Sequence, residues 1–171
     1  MRRIHIVGGK NHGKTTLVVE LVEEFVRRGL RVGTIKHTHH QHELDVPGKD
    51  SHKHREAGAA VVGILTKSVN AVFWSNVDDS GGIRGPVGDD RYRQFEPAFS
   101  DCDLVIVEGD TMTAAPKLEV WRAERGTELL AESLTNVLAI ISDDSLATQL
   151  PIVARKSITA VADFVLDVVH S

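Results

Sequence analysis

Two glycines, a lysine and a threonine near the amino terminus stand at a spacing that suits phosphate binding. The run from Gly8 to Thr15, GGKNHGKT, satisfies the pattern G-x-x-x-x-G-K-[ST]. Glycine suits such a loop because backbone N–H groups must converge on phosphate oxygens, which a Cβ atom would obstruct. The predicted phosphate ligands are Gly8, Gly9, Lys10, Asn11, His12, Gly13, Lys14, Thr15 and Thr16.

Three side chains of this loop have separate expected roles. Lys14 supplies a charge for the β and γ phosphates, the Thr15 hydroxyl ligates magnesium, and Thr16 hydrogen-bonds the α phosphate. The alternative is a glycine-rich turn that binds nothing. It is disfavoured because a predicted strand precedes the loop and a predicted helix follows it, and the helix adds its positive end to the site. We therefore predict a P-loop that binds a nucleoside triphosphate with Mg²⁺.

A second acidic element of such a site is expected at the end of another central strand, where a carboxylate helps to hold the metal. The run 103–109, DLVIVEG, places Glu108 directly after an apolar stretch. In an open α/β sheet, ligands bind at the carboxyl ends of the strands, so Glu108 lies at the correct edge and Asp103 at the opposite one. The alternative for Glu108 is a strand-end carboxylate in solvent.

A cluster of histidines raises a metal hypothesis. Imidazole suits zinc and nickel, and His37 and His39 would share one face of an extended strand. Cys102 is the only cysteine, so a disulfide within the chain and a cysteine-rich zinc site are excluded. Hydrogen bonding or solvation is the alternative role. The six clustered histidines are His37, His39, His40, His42, His52 and His54.

Hydrophobic periodicity indicates the elements that position these residues. A β-α-β unit is predicted from a strand at 4–7, a helix at 15–28 and a strand at 30–38. Residues 76–88 contain four glycines and a proline and predict an exposed hairpin or lid. The other predicted elements are helices at 51–60 and 157–169 and strands at 60–65, 71–74, 104–107, 137–141 and 152–154.

Together these elements predict a three-layer α/β P-loop NTPase fold with a mostly parallel central sheet, in a single domain over residues 1–171. Hydrophobic residues make up 42% of the chain and charged residues 26%, as in an ordinary globular domain. No apolar run approaches the roughly 20 residues that span a bilayer, so we expect a cytoplasmic protein without a membrane partner. The net charge of −4 and the scattered basic residues argue against nucleic acid as a partner.

Five segments in combination resemble the molybdopterin-guanine dinucleotide biosynthesis protein B family. They are GGKNHGKTT, IKHTHH, DVPGKDS, HREAGAA and DLVIVEG, and the resemblance covers most of residues 4–119. Members are GTP-binding accessory proteins that assist attachment of GMP to molybdopterin beside a guanylyltransferase. Where many relatives continue with Phe-Lys after the strand-end Glu-Gly, this chain has Asp110-Thr111.

The resemblance implies a ligand, a metal and a partner. Gly13, Lys14, Thr15 and Thr16 would bind the phosphates of GTP, while Asp50 and Glu108 would position Mg²⁺. Lys14 and Asp50 would serve a slow GTPase reaction. The implied partners are molybdopterin guanylyltransferase and molybdopterin, and we also expect a homodimer.

Three other functions stay open on the sequence alone. They are a nucleotide-binding adapter without meaningful turnover, a nickel-type metal-insertion GTPase, and a small-molecule kinase with an arginine-bearing lid. Asp143 and Asp144 follow a predicted buried strand and either read guanine N1 and N2 or cap a helix. A fast GTPase needs one group that orients the attacking water and a second, cationic group that stabilises the departing charge. Asp50 or a histidine is the candidate for the first role, and Lys10 or Arg84 is the candidate for the second. The candidate lid arginines are Arg84, Arg91 and Arg93.

Overall fold

The computed structural model describes residues 1–38, 43–74 and 88–170. The chain divides into two compact units, one of Met1–Thr38 with Gly88–Ser171 and one of His39–Val87. The expectation of one domain stays a prediction. Of the predicted hairpin or lid at 76–88, all but its last residue lies outside the described residues.

The described residues form eight strands and three α-helices, together with a long 3-10 segment at Gly88–Phe99, called the 3-10 segment, and two short 3-10 turns at Ala123–Arg125 and Leu130–Glu132. The strands are β1 (Arg3–Val7), β2 (Val32–Lys36), β3 (Val61–Leu65), β4 (Asn70–Trp74), β5 (Leu104–Glu108), β6 (Lys117–Val120), β7 (Val137–Ile141) and β8 (Ile152–Val153). The helices are α1 (Lys14–Arg27), α2 (Asp50–Glu56) and α3 (Ile158–His170).

The first unit is built on a six-stranded sheet in the order β2-β5-β1-β6-β7-β8, with every neighbouring pair parallel. Successive side chains of a strand face opposite sides, so β5 supplies both layers. Ile106 packs with residues of α1 and α3, and Val107 packs with Tyr92 of the 3-10 segment. The predicted α/β fold, with a parallel central sheet and flanking helices, is confirmed.

Helix α1 forms because its apolar residues recur at helical spacing and bury one face. Leu17, Leu21 and Phe25 are fully buried against the sheet, and Gly29 follows the helix with φ of +83°. No helix within residues 1–38, 43–74 and 88–170 is both long and apolar enough to cross a membrane. The predicted cytoplasmic location stays a prediction.

The second unit contains α2 and an antiparallel pair of strands. β3 and β4 pair in a register that sets Val62 opposite Phe73. Val62 is buried, while Val61, Leu65 and Val72 are exposed, as expected for strands whose side chains alternate between two faces. The predicted strands at 60–65 and 71–74 are therefore present.

Strand β6 was not predicted, because two of its four residues are charged. Lys117 and Glu119 are nonetheless buried. The Lys117 ammonium group donates to three backbone carbonyl groups at 2.5 to 3.3 Å. The Glu119 carboxylate accepts two backbone N–H bonds, each 2.8 Å long, from the turn at Leu130–Glu132, although burial raises its pKa. Buried charges are tolerated when such partners satisfy them.

Candidate functional site

The loop between β1 and α1 has the backbone geometry that its glycines predicted. Gly8 has φ of +142° and Gly13 has φ of +94°, a range that side-chain-bearing residues rarely adopt. A Cβ atom on Gly8 would lie 2.4 Å from the carbonyl oxygen of Val120 in β6. Gly13 is the N-cap of α1, so the first N–H groups of the helix face this loop without intrahelical partners.

The Lys14 side chain folds over the loop. Its ammonium group donates to the carbonyl oxygen of Gly8 at 2.9 Å and to that of Gly9 at 2.7 Å. Burial lowers the pKa of Lys14, and Glu108 opposes that effect. The positive charge is thus held at the loop by backbone oxygens.

Thr15 and Glu108 meet at the carboxyl edge of the sheet. The Thr15 hydroxyl donates to Oε1 of Glu108 at 2.6 Å, and the Lys36 ammonium group lies 3.8 Å from the same oxygen. These residues meet because β2, β5 and β1 are consecutive strands of one parallel sheet. A hydroxyl and a carboxylate are the hard oxygen ligands that Mg²⁺ prefers.

His12 ties the loop to the segment that follows β6. Its ring is fully buried, with Nδ1 accepting the backbone N–H of Arg122 at 3.0 Å and Nε2 lying 3.0 Å from the Thr127 hydroxyl. Because Nδ1 accepts a hydrogen bond, the proton of the neutral ring lies on Nε2. Burial lowers the pKa of His12, and the Lys14 charge lowers it further. The side chain of this predicted phosphate ligand therefore supports the loop from within.

Arg122 and Arg125, which no motif in the sequence indicates, line the same cavity as the loop. Because predicted phosphate ligands line this cavity of about 450 Å³, we call it the phosphate cavity. Both arginines follow β6, the strand that the sequence pattern did not reveal. The sequence signal for these residues is a pair of arginines directly after a strand end, and it can be used only once that strand is recognised. The lining residues are Asn11, Gly13, Lys14, Thr15, Thr16, Arg122 and Arg125.

A second cavity, of about 240 Å³, lies beside the predicted base-reading aspartates and is named here the base cavity. Asp143 Oδ1 accepts the N–H of Lys156 at 3.0 Å, and Asp144 Oδ2 accepts the N–H of Ala123 at 2.8 Å. Each carboxylate thus caps a backbone group, and its second oxygen adds acceptor capacity. The lining residues are Trp121, Arg122, Glu124, Asp143, Asp144 and Arg155.

Asp50, the other predicted magnesium residue, belongs to the second unit. It is the first residue of α2, its side chain is 92% exposed, and its carboxylate lies 3.8 Å from the Lys53 ammonium group. Its role at the metal stays a prediction.

The histidine cluster is only partly within the described residues, since His39, His40 and His42 lie outside them. The ring of His52 lies 3.2 Å from Glu56 and 3.6 Å from Glu43. Over residues 1–38, 43–74 and 88–170, no group of three or more histidine, cysteine or acidic side chains is placed to hold a metal ion. The hypothesis of a transition-metal site gains no support from these residues.

Asp110, which follows Glu108 and Gly109 at the end of β5, anchors the 3-10 segment. It is fully buried and accepts hydrogen bonds from Arg91 and Tyr92 and from the backbone N–H of Met112. Burial by itself raises the pKa of Asp110, but the bonds from Arg91 and Tyr92 outweigh it and lower the value to about 2. Arg91 is therefore engaged in a partly buried ion pair with Asp110, and Arg84 lies outside the described residues. This arrangement does not favour an arginine lid.

Comparison with known proteins gives consistent matches. The family described as molybdopterin guanine dinucleotide synthesis protein B matches residues 3–143. The molybdopterin-guanine dinucleotide biosynthesis adapter protein of Haemophilus influenzae is 34% identical over 166 residues, covering 96% of this chain and 88% of that protein. The protein of the same description from Escherichia coli is 32% identical over 158 residues, covering 91% and 86%. A crystal structure of Bacillus subtilis MobB superposes with a TM-score of 0.70 at 25% identity, covering 98% of this chain and 97% of that one.

Proposed function

The chain belongs to the molybdopterin guanine dinucleotide synthesis protein B family, and on that premise we propose that it is a GTP-binding adapter in the biosynthesis of molybdopterin guanine dinucleotide. In this proposal GTP binds at the loop between β1 and α1 with Mg²⁺, and the protein hydrolyses it slowly. The protein works beside molybdopterin guanylyltransferase in the cytoplasm, as a homodimer.

One observation carries the proposal, namely the composition of the phosphate cavity. Lys14, Thr15 and Thr16 line it from the start of α1, and Arg122 and Arg125 line it from the segment after β6. Three cationic side chains and the positive end of a helix make this cavity favour a strongly anionic ligand. A triphosphate is the ligand whose charge matches this set.

The residues present fit a magnesium ion. Thr15 and Glu108 bring a hydroxyl and a carboxylate within 2.6 Å of each other at the edge of this cavity. Magnesium, when bound with the nucleotide, neutralises charge on the β and γ phosphates. Thr15 and Glu108 would hold it directly or through water, and Asp50 is proposed to assist.

Guanine recognition is proposed for the base cavity. Asp143 and Asp144 line it with carboxylates, which accept hydrogen bonds from guanine N1 and N2 but not from the corresponding positions of adenine. Trp121, in the same cavity, offers an aromatic face on which a base can stack.

The test is a parallel titration of the purified protein with GTP, ATP and molybdopterin, with and without Mg²⁺. Wild-type protein should bind magnesium-GTP, and Lys14→Ala should weaken triphosphate binding by about 100-fold, because it removes a charged hydrogen-bond donor. Lys67→Ala is the matched control, since Lys67 is an exposed lysine of the turn between β3 and β4. Equal GTP affinity in wild-type protein and Lys14→Ala would refute nucleotide binding at this loop.

Adapter function needs a separate readout. Added protein should stimulate GMP transfer to molybdopterin by the guanylyltransferase, and Lys14→Ala should lose that stimulation. Phosphate release from GTP, measured in the same samples, distinguishes a slow GTPase from an adapter that binds without turnover. Tight binding and stimulation without phosphate release would support the adapter alone.

A further inference from the structure

Arg122 lies between the two cavities of the proposed nucleotide site. It lines the phosphate cavity together with Lys14 and Thr16, and it lines the base cavity together with Asp143 and Asp144. Arg125 lines the phosphate cavity, from three residues further along the chain. A ligand that occupied both cavities would therefore run past Arg122.

The backbone of Arg122 is held on both sides. Its N–H donates to His12 Nδ1 at 3.0 Å, and the preceding N–H, that of Trp121, donates to the carbonyl oxygen of Ile141 in β7 at 3.1 Å. The first bond joins Arg122 to the phosphate loop, and the second joins it to the sheet. The Arg122 side chain is therefore projected from a fixed point.

The guanidinium group reaches the loop and is still accessible. Its Nη2 lies 2.9 Å from the position that a Cβ atom on Gly13 would occupy, so it rests against the start of α1. The side chain is 39% exposed, and its nearest acid is Glu124, with Nη1 and Oε1 3.7 Å apart. At that distance the pair is a loose ion pair at the surface, which costs little to exchange for another anion.

We propose that Arg122 binds the α phosphate of the nucleotide, the group that links the nucleoside to the rest of the phosphate chain. The α phosphate joins the ribose to the rest of the chain, so with the base in one cavity and the terminal phosphates in the other it lies at the junction. A guanidinium group donates two parallel hydrogen bonds to a phosphate, which suits this position better than an ammonium group does. This inference rests on the proposed function and adds a residue that the loop motif does not contain.

The test compares nucleotides that differ only in their number of phosphates. Guanosine, GMP, GDP and GTP displace a labelled GTP, all without magnesium, from wild-type protein, Arg122→Ala, Arg122→Lys and the control Arg2→Ala, at an exposed arginine that lines neither cavity. Arg122→Ala should weaken GMP, GDP and GTP by the same factor, about 10- to 100-fold, and leave guanosine unchanged. Arg122→Lys should recover part of the loss, because it restores charge without the paired donors. The bond to His12 uses the backbone of Arg122, so these substitutions leave it in place, and thermal unfolding should be unchanged.

The contrary outcomes separate the two proposals. A loss for GDP and GTP but not for GMP would assign Arg122 to the β phosphate, a loss for GTP alone would assign it to the γ phosphate, and either result would overturn the inference. An equal loss for guanosine would show a role at the base or in the packing of Gly13, and unchanged affinities would show no role at all; each overturns the inference while nucleotide binding stands. If wild-type protein binds none of the four ligands and no labelled GTP, the proposed function and this inference fail together.

Discussion

The Thr15 hydroxyl donates a hydrogen bond of 2.6 Å to the Glu108 carboxylate across 93 positions of the chain. Thr15 lies at the start of α1, and Glu108 ends β5, which pairs with β1 so that Ile6 is opposite Glu108. The contact therefore follows from the pairing of two neighbouring strands. It brings together two side chains for which separate stretches of sequence predict a role at magnesium.

Removing the charge of Glu108 should weaken magnesium-dependent GTP binding. Glu108→Gln keeps an oxygen that can accept the Thr15 hydrogen bond but lacks the negative charge, so we expect a loss of about 10- to 100-fold. Asp50→Asn should act in the same direction if Asp50 reaches the ion. Binding of GDP without magnesium is the control and should not change.

A double-mutant cycle on Glu108→Gln and Asp50→Asn tests whether they share one ion. Losses in GTP turnover should be non-additive, because both residues act through the same magnesium. Strictly additive losses that excess magnesium does not rescue would assign the two carboxylates separate roles. Stimulation of GTP hydrolysis by nickel or zinc, lost on replacement of His37 and His39, would favour the metal-insertion function.

The buried ring of His12 should be needed for both stability and nucleotide affinity. His12→Ala leaves the Arg122 N–H and the Thr127 hydroxyl without their partner, so we expect a loss of about 2–4 kcal/mol in the free energy of unfolding. GTP affinity should fall as well, because the loop is no longer tied to the segment after β6. Urea denaturation and GTP titration measure the two effects.

Two variants resolve the contributions of the His12 ring nitrogens. Thr127→Val removes only the hydroxyl, and we expect a cost of about 1 kcal/mol. His12→Asn retains a side-chain acceptor for the Arg122 N–H and should be less harmful than His12→Ala. Wild-type stability and affinity in His12→Ala would contradict the supporting role of this ring.

Gly8→Ala should destabilise the protein more than a glycine substitution that costs conformational strain alone. The added Cβ would lie 2.4 Å from the backbone oxygen of Val120, which cannot move without displacing β6. We expect a loss of about 2–5 kcal/mol, combining positive φ with overpacking. Gly29→Ala is the matched control, because Gly29 also has positive φ but has no other atom within 4 Å of its Cβ position, and it should cost about 1–2 kcal/mol. Equal losses in the two variants would show that the contact with Val120 is unimportant.

GTP should bind more tightly than ATP, through the carboxylates of the base cavity. Asp143→Asn and Asp144→Asn, measured separately in competition titrations, identify the residue that reads guanine. The variant of that residue should lose about 10-fold or more of the preference for GTP, because an amide donor then faces guanine N1 and N2. Equal displacement by GTP and ATP in wild-type protein would leave both aspartates with capping roles only.

Stability should fall in mild acid because of His5. Its ring is fully buried, accepts a hydrogen bond from Arg3 Nε at 3.2 Å and meets the Tyr92 ring edge-on at 5.4 Å. The pKa of His5 is lowered to about 4, chiefly by burial and also by the charges of Arg3 and Lys117, while Asp110 opposes them. The unfolded chain takes up this proton near pH 6.5 and the folded chain only near pH 4.

The stabilisation from a neutral His5 is therefore complete above about pH 6.5 and is lost as the pH falls toward 4. The gap between these values corresponds to at most about 3 kcal/mol. Urea denaturation at pH 7, 6 and 5 measures the slope, which should be smaller in His5→Gln than in wild-type protein. His54→Gln, at an exposed histidine of α2, should keep the wild-type slope. An identical slope in His5→Gln would assign the pH dependence to other groups.

Much of this site was predictable from short stretches of sequence. The loop from Gly8 to Thr15 depends on glycine torsions and on the start of a helix, both contained in a few residues. Strand β5 was predictable because its residues before Glu108 are continuously apolar, as strands buried on both faces are. The carboxyl ends of parallel strands meet at one edge of the sheet, so the position of Glu108 at the end of its strand predicted that it lies at the same edge as the loop. In the structure Glu108 contacts Thr15.

Strand β6 and the residues after it could not be found in the same way. Lys117 and Glu119 are charged, so the sequence pattern predicts that they are exposed. They are buried because backbone groups elsewhere in the chain form hydrogen bonds with their side chains. Without β6, nothing in the sequence placed Arg122 beside Gly13 or gave His12 its partners. Local sequence is sufficient to predict the structure where backbone torsional preferences and the spacing of apolar residues determine it. Long-range packing was needed where a buried charge or a shared cavity depends on groups far apart in the chain, because no short window contains both partners.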